Sequence, residues 1–364
     1  MVIGVPREIK PDEYRAAMTP AGVDLLSRAG HTVMVEAGAC FESGIPDEAM
    51  RAAGAVIVPA HEEVFQRADL VVKVKEPMPS EYGMFRKGQC LFTYLHLAAD
   101  RKLTEALMKS GVLGIAYETV EIPGGLRPLL TPMSEIAGRL SIQAGAKHLE
   151  RPQEGKGILL GGLPGVAPAN VLVLGGGVVG SYAARVAAAL GARVTVMDVN
   201  LARLQYLADI MPDNVTTIAS NPYSIREQVR EADLVVGGVL ITGARAPRLV
   251  TRALLKEMRP RSVVVDVAID QGGCFETSRP TTHSKPVFVE ESIVHYCVTN
   301  MPGAVPRTAT YGLTNSTLPY ILKLADLGPD RAVREDESLA RGVNVRDGEI
   351  IHPAVKAAFA DKGG

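Results

Sequence analysis

The sequence predicts an α/β protein made of two doubly wound, Rossmann-like domains whose parallel sheets flank an interdomain cleft. Short apolar runs alternate with segments that carry apolar residues at helical spacing, the pattern of a parallel sheet covered by helices on both faces. The peptide "ADLVV" occurs at 68–72 and again at 232–236, and each copy precedes a helical stretch and another apolar run. This order indicates two related domains, although chance recurrence is the alternative, because buried strands share few residue types.

The strands and helices of the two halves follow from this pattern. The predicted strands are 31–38, 54–58, 69–74, 90–97 and 112–118, followed by 170–177, 192–198, 232–239, 261–268 and 292–300. The predicted helices of the first half, 20–30, 46–54 and 100–111, end in glycine, as helices often do. Residues 131–150 form a further predicted helix with Ser134 near its N-cap. The prolines after Asn300 indicate a return crossing that packs the C-terminal segment on the first domain.

Composition excludes several classes of partner. The chain has 364 residues, which suits about two domains, and 47% apolar and 22% charged residues are ordinary for a globular protein. A net charge of −1, no basic block and no Trp argue against nucleic acid binding. The uncharged run 157–184 is long enough for a membrane span, but its prolines and glycines indicate a loop, a strand and a turn. We therefore expect neither nucleic acid nor membrane as a partner.

The cysteines indicate a reducing compartment. None of them forms a C-x-x-C pair, and the N-terminal residues turn polar too early for a signal peptide. We interpret all four as reduced packing residues of a cytoplasmic protein: Cys40, Cys90, Cys274 and Cys297.

The strongest motif is a glycine-rich turn between an apolar strand and an Ala-rich helix. Gly175, Gly177 and Gly180 form G-x-G-x-x-G in the strand–turn–helix context of a dinucleotide site, with a purely structural turn as the alternative. The first glycine permits the turn, the second admits the pyrophosphate and the third lets helix and strand pack closely. Asp198 ends the next predicted strand, where a carboxylate binds the ribose hydroxyls and repels the extra phosphate of NADP. We therefore expect NAD, with Arg203 packing near the adenine.

Polar side chains follow several predicted strands, at the edge of a parallel sheet where ligands bind. They are Lys73, Lys75, His96, Asp270 and Asn300. A histidine at such an edge is the usual proton carrier at neutral pH, with a local hydrogen-bonding role as the alternative. Asp270 precedes a turn with two glycines, which indicates that the backbone there lies close to another group. His96 and Asp270 are therefore the candidates for acid–base chemistry.

The two lysines raise a problem, because an ammonium group is expensive to bury. Lys73 and Lys75 would share one face of a regular strand. Lys75 lies nearer the crevice and is the predicted functional residue, with Glu76, Glu118 or a substrate carboxylate as its counter-charge. A solvated pair at the end of the strand is the alternative, and Lys73 has no predicted role. The second copy of the strand continues with two glycines, which we expect to leave room for a cofactor against the backbone.

With these residues assembled, nearly the whole chain resembles the alanine dehydrogenase family, within the larger group that includes the nucleotide-binding subunit of proton-pumping transhydrogenases. The motifs that show the resemblance are "KVKEP", "FTYLHLA", "AYETV", "PMSEIAGRL", "GGGVVG", "AIDQGGCFETSRPTTH" and "NMPGAVPRT". It implies an NAD-dependent oxidoreductase of amino-acid catabolism that converts L-alanine reversibly to pyruvate and ammonium. It also implies a homohexamer.

The resemblance assigns roles residue by residue. Arg15 and Lys75 would bind the substrate, and His96 and Asp270 would act in acid–base chemistry. Besides the three glycines, the nucleotide contacts would be Ser134, Val179, Asp198, Arg203, Ser220, Val239, Leu240, Arg279, Asn300 and Met301. The substrate domain would comprise residues 1–130 plus 302–364, and the NAD-binding domain residues 131–301. Some relatives bind a divalent metal near the C-terminal helix, but "LPYILKLADLGPDR" lacks the required acidic and histidine pair, so no metal is predicted.

The implied reaction is a hydride transfer between the alanine Cα and C4 of the nicotinamide, which gives an iminium. Water then adds, and ammonia leaves. Arg15 and Lys75 would hold the carboxylate and the carbonyl of pyruvate, since arginine matches both oxygens of a carboxylate. His96 would activate the water, and Asp270 would orient the water or the leaving ammonium.

Three other functions stay open from the sequence. A 2-hydroxy-acid dehydrogenase shares the architecture but uses no ammonium, so ammonium-dependent oxidation of NADH with pyruvate separates the two. A soluble transhydrogenase subunit would pass hydride to a partner protein, and the lack of a credible membrane span argues against that function. A non-catalytic NAD sensor would not require the intact set of Arg15, Lys75, His96 and Asp270.

Overall fold

The structure, a computed structural model, describes residues 1–239 and 246–360. The chain divides into two compact units. Unit 1 comprises Met1–Met133 and Gly303–Gly364, and unit 2 comprises Ser134–Pro302. Within the described residues, each unit contains one large β-sheet.

Strands and helices alternate along most of the chain. The strands are β1 (Val2–Val5), β2 (Thr32–Glu36), β3 (Val56–Val58), β4 (Leu70–Val72), β5 (Cys90–Thr93), β6 (Leu113–Ala116), β7 (Asn170–Leu174), β8 (Arg193–Asp198), β9 (Val215–Ala219), β10 (Leu234–Gly237), β11 (Val263–Asp266), β12 (Val287–Glu290), β13 (Ile293–Tyr296), β14 (Val343–Arg346) and β15 (Glu349–Ile350). The α-helices are α1 (Pro20–Arg28), α2 (Asp47–Ala52), α3 (His61–Arg67), α4 (Arg101–Ser110), α5 (Thr131–His148), α6 (Val178–Ala189), α7 (Leu201–Ile210), α8 (Pro222–Glu231), α9 (Arg252–Leu255), α10 (Pro306–Leu327), α11 (Pro329–Glu335), α12 (Glu337–Gly342) and α13 (Pro353–Ala360).

The two sheets confirm the predicted α/β class. Among the described residues, the sheet of unit 1 has the strand order β15-β14-β6-β5-β4-β1-β2-β3, and the sheet of unit 2 has the order β12-β13-β11-β10-β7-β8-β9. Most neighbouring strands are parallel. The exceptions are at the sheet edges, where β14 runs antiparallel to β6, β15 to β14, and β12 to β13. Both sheets are therefore mixed and dominated by parallel pairs.

The repeated pentapeptide forms an interior strand in each sheet. β4 lies between β5 and β1, and β10 lies between β11 and β7. In β10, Val235 packs in a core cluster on one face of the sheet, and Leu234 and Val236 pack in a second cluster on the other face. Burial on both faces explains why these strands are continuous apolar runs rather than alternating ones. Each fully buried Val or Leu side chain contributes about 1.5–3 kcal/mol.

Several predicted strand boundaries are wrong. The predicted strand 90–97 ends at Thr93, because the chain turns out of the sheet into a left-handed conformation at His96. A short 3₁₀ helix, Pro79–Met84, follows β4 where an α-helix is predicted. The prediction also omits β1, β9, β12, β14 and β15, and of these β1 lies in the interior of its sheet.

Helix α4 shows how local signals set a boundary. The Asp100 carboxylate accepts a hydrogen bond from the Leu103 N–H at 3.0 Å and so caps the first turn. Gly111 ends the helix in the left-handed conformation with φ 69°. Leu103 and Leu107 lie on the buried face. These signals confirm the helix predicted at 100–111.

The apolar stretch considered as a membrane span has another structure. Residues 157–184 contain a loop, strand β7 and the first part of α6. In the part of the chain that the structure describes, we find no helix whose length and hydropathy would let it cross a bilayer.

Candidate functional site

In unit 1, Lys75 and His96 follow neighbouring strands at the same edge of the sheet. β4 and β5 pair in parallel, and each strand ends three residues before one of these side chains. The contact continues beyond the strands, because the Thr93 hydroxyl donates a hydrogen bond to the Lys75 carbonyl at 3.0 Å. The parallel pairing therefore brings the predicted substrate-binding lysine and the predicted acid–base histidine to one place.

Glu76 interacts electrostatically with both residues. Burial raises the pKa of the Glu76 carboxyl, but Lys75 and Lys10 outweigh burial and leave that pKa below its usual value. His96 acts in the same direction. Of the two glutamates predicted as counter-charges of Lys75, Glu76 is thus near it, whereas Glu118 binds the segment of His96.

Arg15 is buried and is held by a carboxylate. Its side chain is 2% exposed, and its Nε and Nη2 donate to the two oxygens of Glu13 at 2.6 and 2.5 Å. Nη1 donates to the Met133 sulfur at 3.0 Å. Burial opposes the charge of the guanidinium, but Glu13 outweighs it, so the pKa of Arg15 is raised. Glu13 also interacts with the charge of Lys75, which places the two predicted substrate-binding cations around one carboxylate.

The backbone at His96 is in the left-handed region, with φ 50°, which costs a non-glycine residue about 1 kcal/mol. Glu118 stabilises this turn, because its Oε1 accepts the His96 N–H at 2.7 Å and the Leu95 N–H at 3.2 Å. The imidazole stacks on Tyr94, with ring centroids 5.9 Å apart and planes 4° apart. Tyr94 is fixed in turn by a hydrogen bond from its hydroxyl to the Leu129 carbonyl at 2.6 Å. The His96 side chain is oriented yet 47% exposed, as a proton carrier requires.

Lys73 has no contact with solvent. Its side chain is 1% exposed, and its Nζ donates to Glu81 at 2.8 Å and lies 3.4 Å from a carboxylate oxygen of Glu8. The alternative of a solvated lysine pair is therefore wrong for Lys73. Its charge is compensated by two buried carboxylates from different segments.

A cavity of about 300 Å³ lies beside Arg15 in unit 1. Residues 7–15 line most of it, including Glu8 and Glu13. A cavity of about 430 Å³ in unit 2 lies at the amino ends of β7 and β8, next to Asn170 and Arg193. Ligands of parallel sheets bind at the carboxyl ends of the strands, so the cavity of unit 1 is the one that suits a substrate.

In unit 2, the glycine-rich turn joins β7 to α6. Gly175 has φ 96°, a conformation that favours glycine. A Cβ on Gly180 would lie 1.8 Å from the Gly175 carbonyl oxygen, so the helix packs on the turn only without a side chain there. A Cβ on Gly177 would have no neighbour among the described residues within 4 Å. The open space at Gly177 lies at the N-terminus of α6, whose N–H groups suit phosphate.

Asp198 lies at the end of β8, beside this turn. Its Oδ2 accepts the Gly176 N–H at 2.7 Å, and its Oδ1 accepts the Asn200 N–H at 2.8 Å. The Ser220 N–H donates to the Asp198 carbonyl at 2.9 Å and so places Ser220 next to it. Because a carboxylate offers about four acceptor positions, Asp198 keeps the capacity to bind ribose hydroxyls.

Arg203 binds the glycine-rich turn itself. Its Nε donates to the Gly176 carbonyl and its Nη2 to the Ser181 hydroxyl, both at 2.6 Å. These contacts connect α7 to the turn and to the start of α6. The sequence predicts only that Arg203 packs near the adenine. The hydrogen bonds of Arg203 to the glycine-rich turn were not predicted.

Two of the predicted nucleotide contacts border the turn through their side chains. A Cβ on Gly175 would lie 2.9 Å from a methyl of Val239, and a Cβ on Gly238 would lie 3.1 Å from a methyl of Val179. Val179 and Val239 are therefore together beside the glycines. Leu240 lies outside the described residues.

Three further predicted contacts lie at ends of elements. Ser134 is the fourth residue of α5, which begins at Thr131 rather than at Ser134, because a proline is tolerated in the first turn of a helix. Asn300 has a left-handed backbone, with φ 60°, just before Met301, whose side chain is buried in the core of unit 2. These positions neither confirm nor contradict a nucleotide contact.

Arg279 lies at the edge strand of unit 2. Its Nη1 donates to Glu290 at 3.1 Å, and its guanidinium carbon lies 3.7 Å from the ring centre of Phe288. Both partners belong to β12. Its predicted contact with the nucleotide stays a prediction.

Asp270 and Asp266 differ sharply in environment. β11 ends at Asp266, two residues before the predicted end of this strand, and Asp270 is exposed on the 3₁₀ helix Val267–Gln271. Asp266 is 0% exposed, and its Oδ2 accepts the Cys274 N–H at 2.9 Å and the Ser278 hydroxyl at 2.6 Å. Its Oδ1 has no hydrogen-bond partner among the described residues. Burial raises the pKa of Asp266 to about 6.

The cysteines are buried and free. Burial raises the pKa of Cys40, Cys274 and Cys297 to about 12, so these thiols are poor nucleophiles near neutral pH. No group of three or more His, Cys, Asp or Glu residues is arranged to hold a metal ion within residues 1–239 and 246–360.

Sequence reasoning missed two of the three carboxylates that organise unit 1. Glu13 binds Arg15, Glu118 holds the turn at His96, and Glu8 lies against Lys73. The sequence analysis names Glu118 only as a possible counter-charge of Lys75. The two others lie in the polar segment at residues 7–15, whose sequence has no periodicity that would place it against the sheet.

The comparisons with known proteins identify the family. The family model described as "Alanine dehydrogenase/PNT, N-terminal domain" matches residues 4–137, and its C-terminal counterpart matches residues 141–353. An alanine dehydrogenase of Methanococcus maripaludis is 54% identical over 98% of this chain and 96% of its own length. A solved L-alanine dehydrogenase is 53% identical, with a TM-score of 0.96 over 99% of each chain.

A more distant relative has the same architecture. The transhydrogenase structure from Sinorhizobium meliloti is 25% identical, with a TM-score of 0.82 over 97% of this chain and 100% of its own. The two family matches together cover most of the chain, and the resemblance inferred from the motifs is confirmed. The chain therefore belongs to the alanine dehydrogenase/PNT family.

Proposed function

We propose that this chain is an NAD-dependent L-alanine dehydrogenase that catalyses the reversible oxidative deamination of L-alanine to pyruvate and ammonium. The observation that supports it most directly is the grouping of Arg15, Lys75 and His96 in unit 1 of a chain of this family. The chain is an enzyme of the amino-acid dehydrogenase class. In this proposal unit 1 is the substrate domain, with boundaries near residues 130 and 302, and unit 2 is the NAD-binding domain.

The two cations bind the substrate. Glu13 holds the Arg15 guanidinium in one orientation, since two of its N–H groups bind the two oxygens of that carboxylate. The same carboxylate offsets part of the charge of Arg15, so Lys75 supplies further positive charge for the carboxylate and carbonyl of pyruvate. Charge-assisted hydrogen bonds of this kind are about twice as strong as neutral ones.

His96 moves the proton. Its Nδ1 lies 3.9 Å from Glu118, so Nε2 is the atom proposed to take a proton from the attacking water and to return it in the reverse direction. General acid–base help of this kind contributes about 10²–10⁴-fold. Tyr94 lies against the imidazole, and burial raises the pKa of its phenol, which therefore stays protonated and does not compete as a base. Asp270 orients the water or the leaving ammonium.

The residues of unit 2 fit NAD. The open space at Gly177 admits a pyrophosphate, and Asp198 offers acceptors to the ribose hydroxyls. Asp198 also disfavours the 2′-phosphate of NADP by charge repulsion. Arg203 could neutralise such a phosphate, but its Nε and Nη2 bind the glycine-rich turn and Ser181. When bound, NAD supplies the hydride acceptor.

An initial-rate assay tests substrate and cofactor together. NADH formation is followed with each L-amino acid in turn, and then with NADP in place of NAD. We expect the highest kcat/KM for L-alanine with NAD, and in the reverse direction an oxidation of NADH by pyruvate that requires ammonium. Oxidation of NADH by pyruvate at the same rate without ammonium would instead show a 2-hydroxy-acid dehydrogenase.

The role of His96 is tested by His96→Ala. We expect it to retain NADH binding, measured by fluorescence titration, and to lose at least 100-fold in turnover. His31→Gln is the matched control, because His31 pairs with Asp326 in the same unit, away from the site. Wild-type turnover in His96→Ala would refute the assignment.

The assembly and location complete the proposal. We propose a cytoplasmic homohexamer that acts in amino-acid catabolism and needs no metal. The family resemblance supports the assembly and the pathway, and the four free buried cysteines support a reducing compartment. Light scattering coupled to size exclusion tests the hexamer, and unchanged activity after treatment with EDTA is the result expected for a metal-free enzyme.

A further inference from the structure

The buried Lys73 contacts two carboxylates that bind the backbone on either side of the proposed substrate-binding Lys75. We propose that Glu8 and Lys73 are positioning residues, and that their buried ion pair fixes the backbone that presents Lys75 to the substrate. The inference rests on the proposed function, in which Lys75 binds the substrate. Neither Glu8 nor Lys73 is assigned a contact with substrate, so each acts through Lys75.

Glu8 holds the segment of Lys75 directly. Its Oε1 accepts the Val74 N–H at 2.6 Å and lies 3.4 Å from the Lys75 nitrogen, whose N–H it also accepts. β4 ends before these two N–H groups, so the Glu8 side chain, rather than a neighbouring strand, accepts their hydrogen bonds. The other oxygen of Glu8 lies 3.4 Å from the Lys73 ammonium, which fixes the carboxylate in place.

Lys73 connects this contact to a second one beyond Lys75. The ammonium donates to Oε1 of Glu81 at 2.8 Å, and Oε2 of Glu81 accepts the Met78 N–H at 2.6 Å. The two carboxylates thus hold the chain on both sides of Lys75, and Lys73 joins them. Burial opposes the charge on Lys73, but Glu8 and Glu81 outweigh burial, so its pKa is raised and it stays an ammonium.

The network continues from Glu81 through His61 and Glu36 and returns to the segment that contains Glu8. His61 lies between Glu81, at 3.2 Å from Nε2, and Glu36, at 2.6 Å from Nδ1. Glu36 accepts the Arg7 N–H at 2.7 Å, and Arg7 precedes Glu8 in the chain. Each of the three carboxylates therefore binds a backbone N–H group, and together they hold the segments at 7–8 and 74–78 in a fixed relation.

Stability alone does not account for this arrangement. Buried ion pairs are often no more stabilising than apolar residues of similar volume. An apolar pair at the positions of Glu8 and Lys73 would, however, remove the carboxylate that accepts the N–H group of the buried Val74. The geometry therefore favours a role in positioning the backbone, since one oxygen of Glu8 accepts the N–H groups of both Val74 and Lys75.

The test is a comparison of KM and kcat for pyruvate, with NADH and ammonium in excess, in the full chain. Glu8→Asp keeps the charge opposite Lys73 but withdraws the carboxylate by one methylene from the Val74 N–H. Lys73→Met removes the charge, and Lys75→Met removes the substrate-binding group. Lys156→Met is the control, because Lys156 pairs with the buried Asp233 of unit 2, which likewise accepts a backbone N–H.

We expect Glu8→Asp and Lys73→Met to raise the KM for pyruvate about tenfold or more and to leave the KM for NADH within twofold of wild type. KM does not depend on the folded fraction, so a purely structural role would not change it. Lys156→Met lowers the melting temperature without changing either KM. If Lys73→Met fails to fold, Glu8→Asp alone decides.

Two results would overturn the inference. A KM for pyruvate within twofold of wild type in Glu8→Asp, with a lowered melting temperature, would show that the ion pair serves the fold alone. An unchanged KM in Lys75→Met would show that Lys75 is not a substrate-binding residue, and the inference would fall together with that part of the proposed function.

Discussion

Replacement of the buried Asp266 by asparagine should change the pH dependence of stability in unit 2. Burial in the folded protein outweighs the hydrogen bonds that this carboxylate accepts and raises its pKa from 3.8 to about 6. The folded state therefore binds a proton more tightly than the unfolded state. This tighter proton binding stabilises the folded state in acid, and the stabilisation is lost as the pH rises from about 4 through about 6. Above that range the loss is complete and corresponds to about 3 kcal/mol.

Asp266→Asn removes the ionisation and keeps the shape. Its amide oxygen can still accept from Cys274 and Ser278, while the NH₂ group takes the place of Oδ1. An amide without a partner at that place has a cost of its own, but that cost is independent of pH. The difference in stability between variant and wild type should therefore shift in favour of the variant by up to about 3 kcal/mol between pH 4 and pH 8.

Thermal unfolding measured at intervals between pH 4 and pH 8 checks this expectation. For a unit of this size, 1 kcal/mol corresponds to about 2–4 °C in Tm, so the difference in Tm should grow by several degrees. Asp233→Asn is the matched control, because Asp233 is also buried but pairs with Lys156. Asp233→Asn should lower the stability of the protein near pH 8, where Asp266→Asn gains stability relative to wild type. A difference in Tm that is the same at pH 5 and pH 8 would refute the reasoning.

Two further predictions concern the glycine-rich turn and the network in unit 1. Gly177→Ala should weaken NADH binding at least tenfold in a fluorescence titration without lowering Tm. Gly180→Ala should weaken NADH binding and also lower Tm, because its Cβ would lie 1.8 Å from the Gly175 carbonyl oxygen. Equal effects of the two variants on Tm would contradict this prediction. Burial lowers the pKa of His61, but its two carboxylate partners outweigh burial and raise it to about 9. The stabilisation is therefore complete below pH 6.5 and is lost as the pH rises through 9, so His61→Gln should reduce the loss of Tm between pH 7 and pH 9.5.

Local geometry determines which parts of the site can be predicted from the sequence. The roles of Gly175 and Gly180 follow from contacts within a single strand–turn–helix unit, and the structure shows those contacts. The positions of Lys75 and His96 follow from the rule that side chains beyond parallel strands meet at one edge. In each case, sequence neighbours or one pairing rule fix the position.

The carboxylates of unit 1 could not be predicted in this way. Glu13 and Glu118 reach their partners across 2 and 22 residues of the chain, and Glu8 reaches the segment of Lys75 across 67. No periodicity relates these positions. The predicted strand 90–97 is too long for a related reason. The turn at His96 depends on the hydrogen bonds that backbone N–H groups donate to Glu118 rather than on the apolar run before it.

The two copies of "ADLVV" place different residues beside a buried carboxyl group. Aligning the copies places Lys73 opposite Gly237. A Cβ on Gly237 would meet Phe275 at 2.9 Å, so the absence of a side chain there serves packing within the protein, and the predicted room for a cofactor stays a prediction. Each position lies beside a buried carboxyl group, Glu8 in one unit and Asp266 in the other. Burial raises the pKa of the first, Glu8, and the Lys73 ammonium opposes burial without outweighing it. The second has no such partner among the described residues, and burial alone then raises its pKa to about 6. The same apolar strand therefore lies beside a lysine–glutamate pair in one unit, and in the other beside a carboxyl group with no neighbouring ammonium among the described residues.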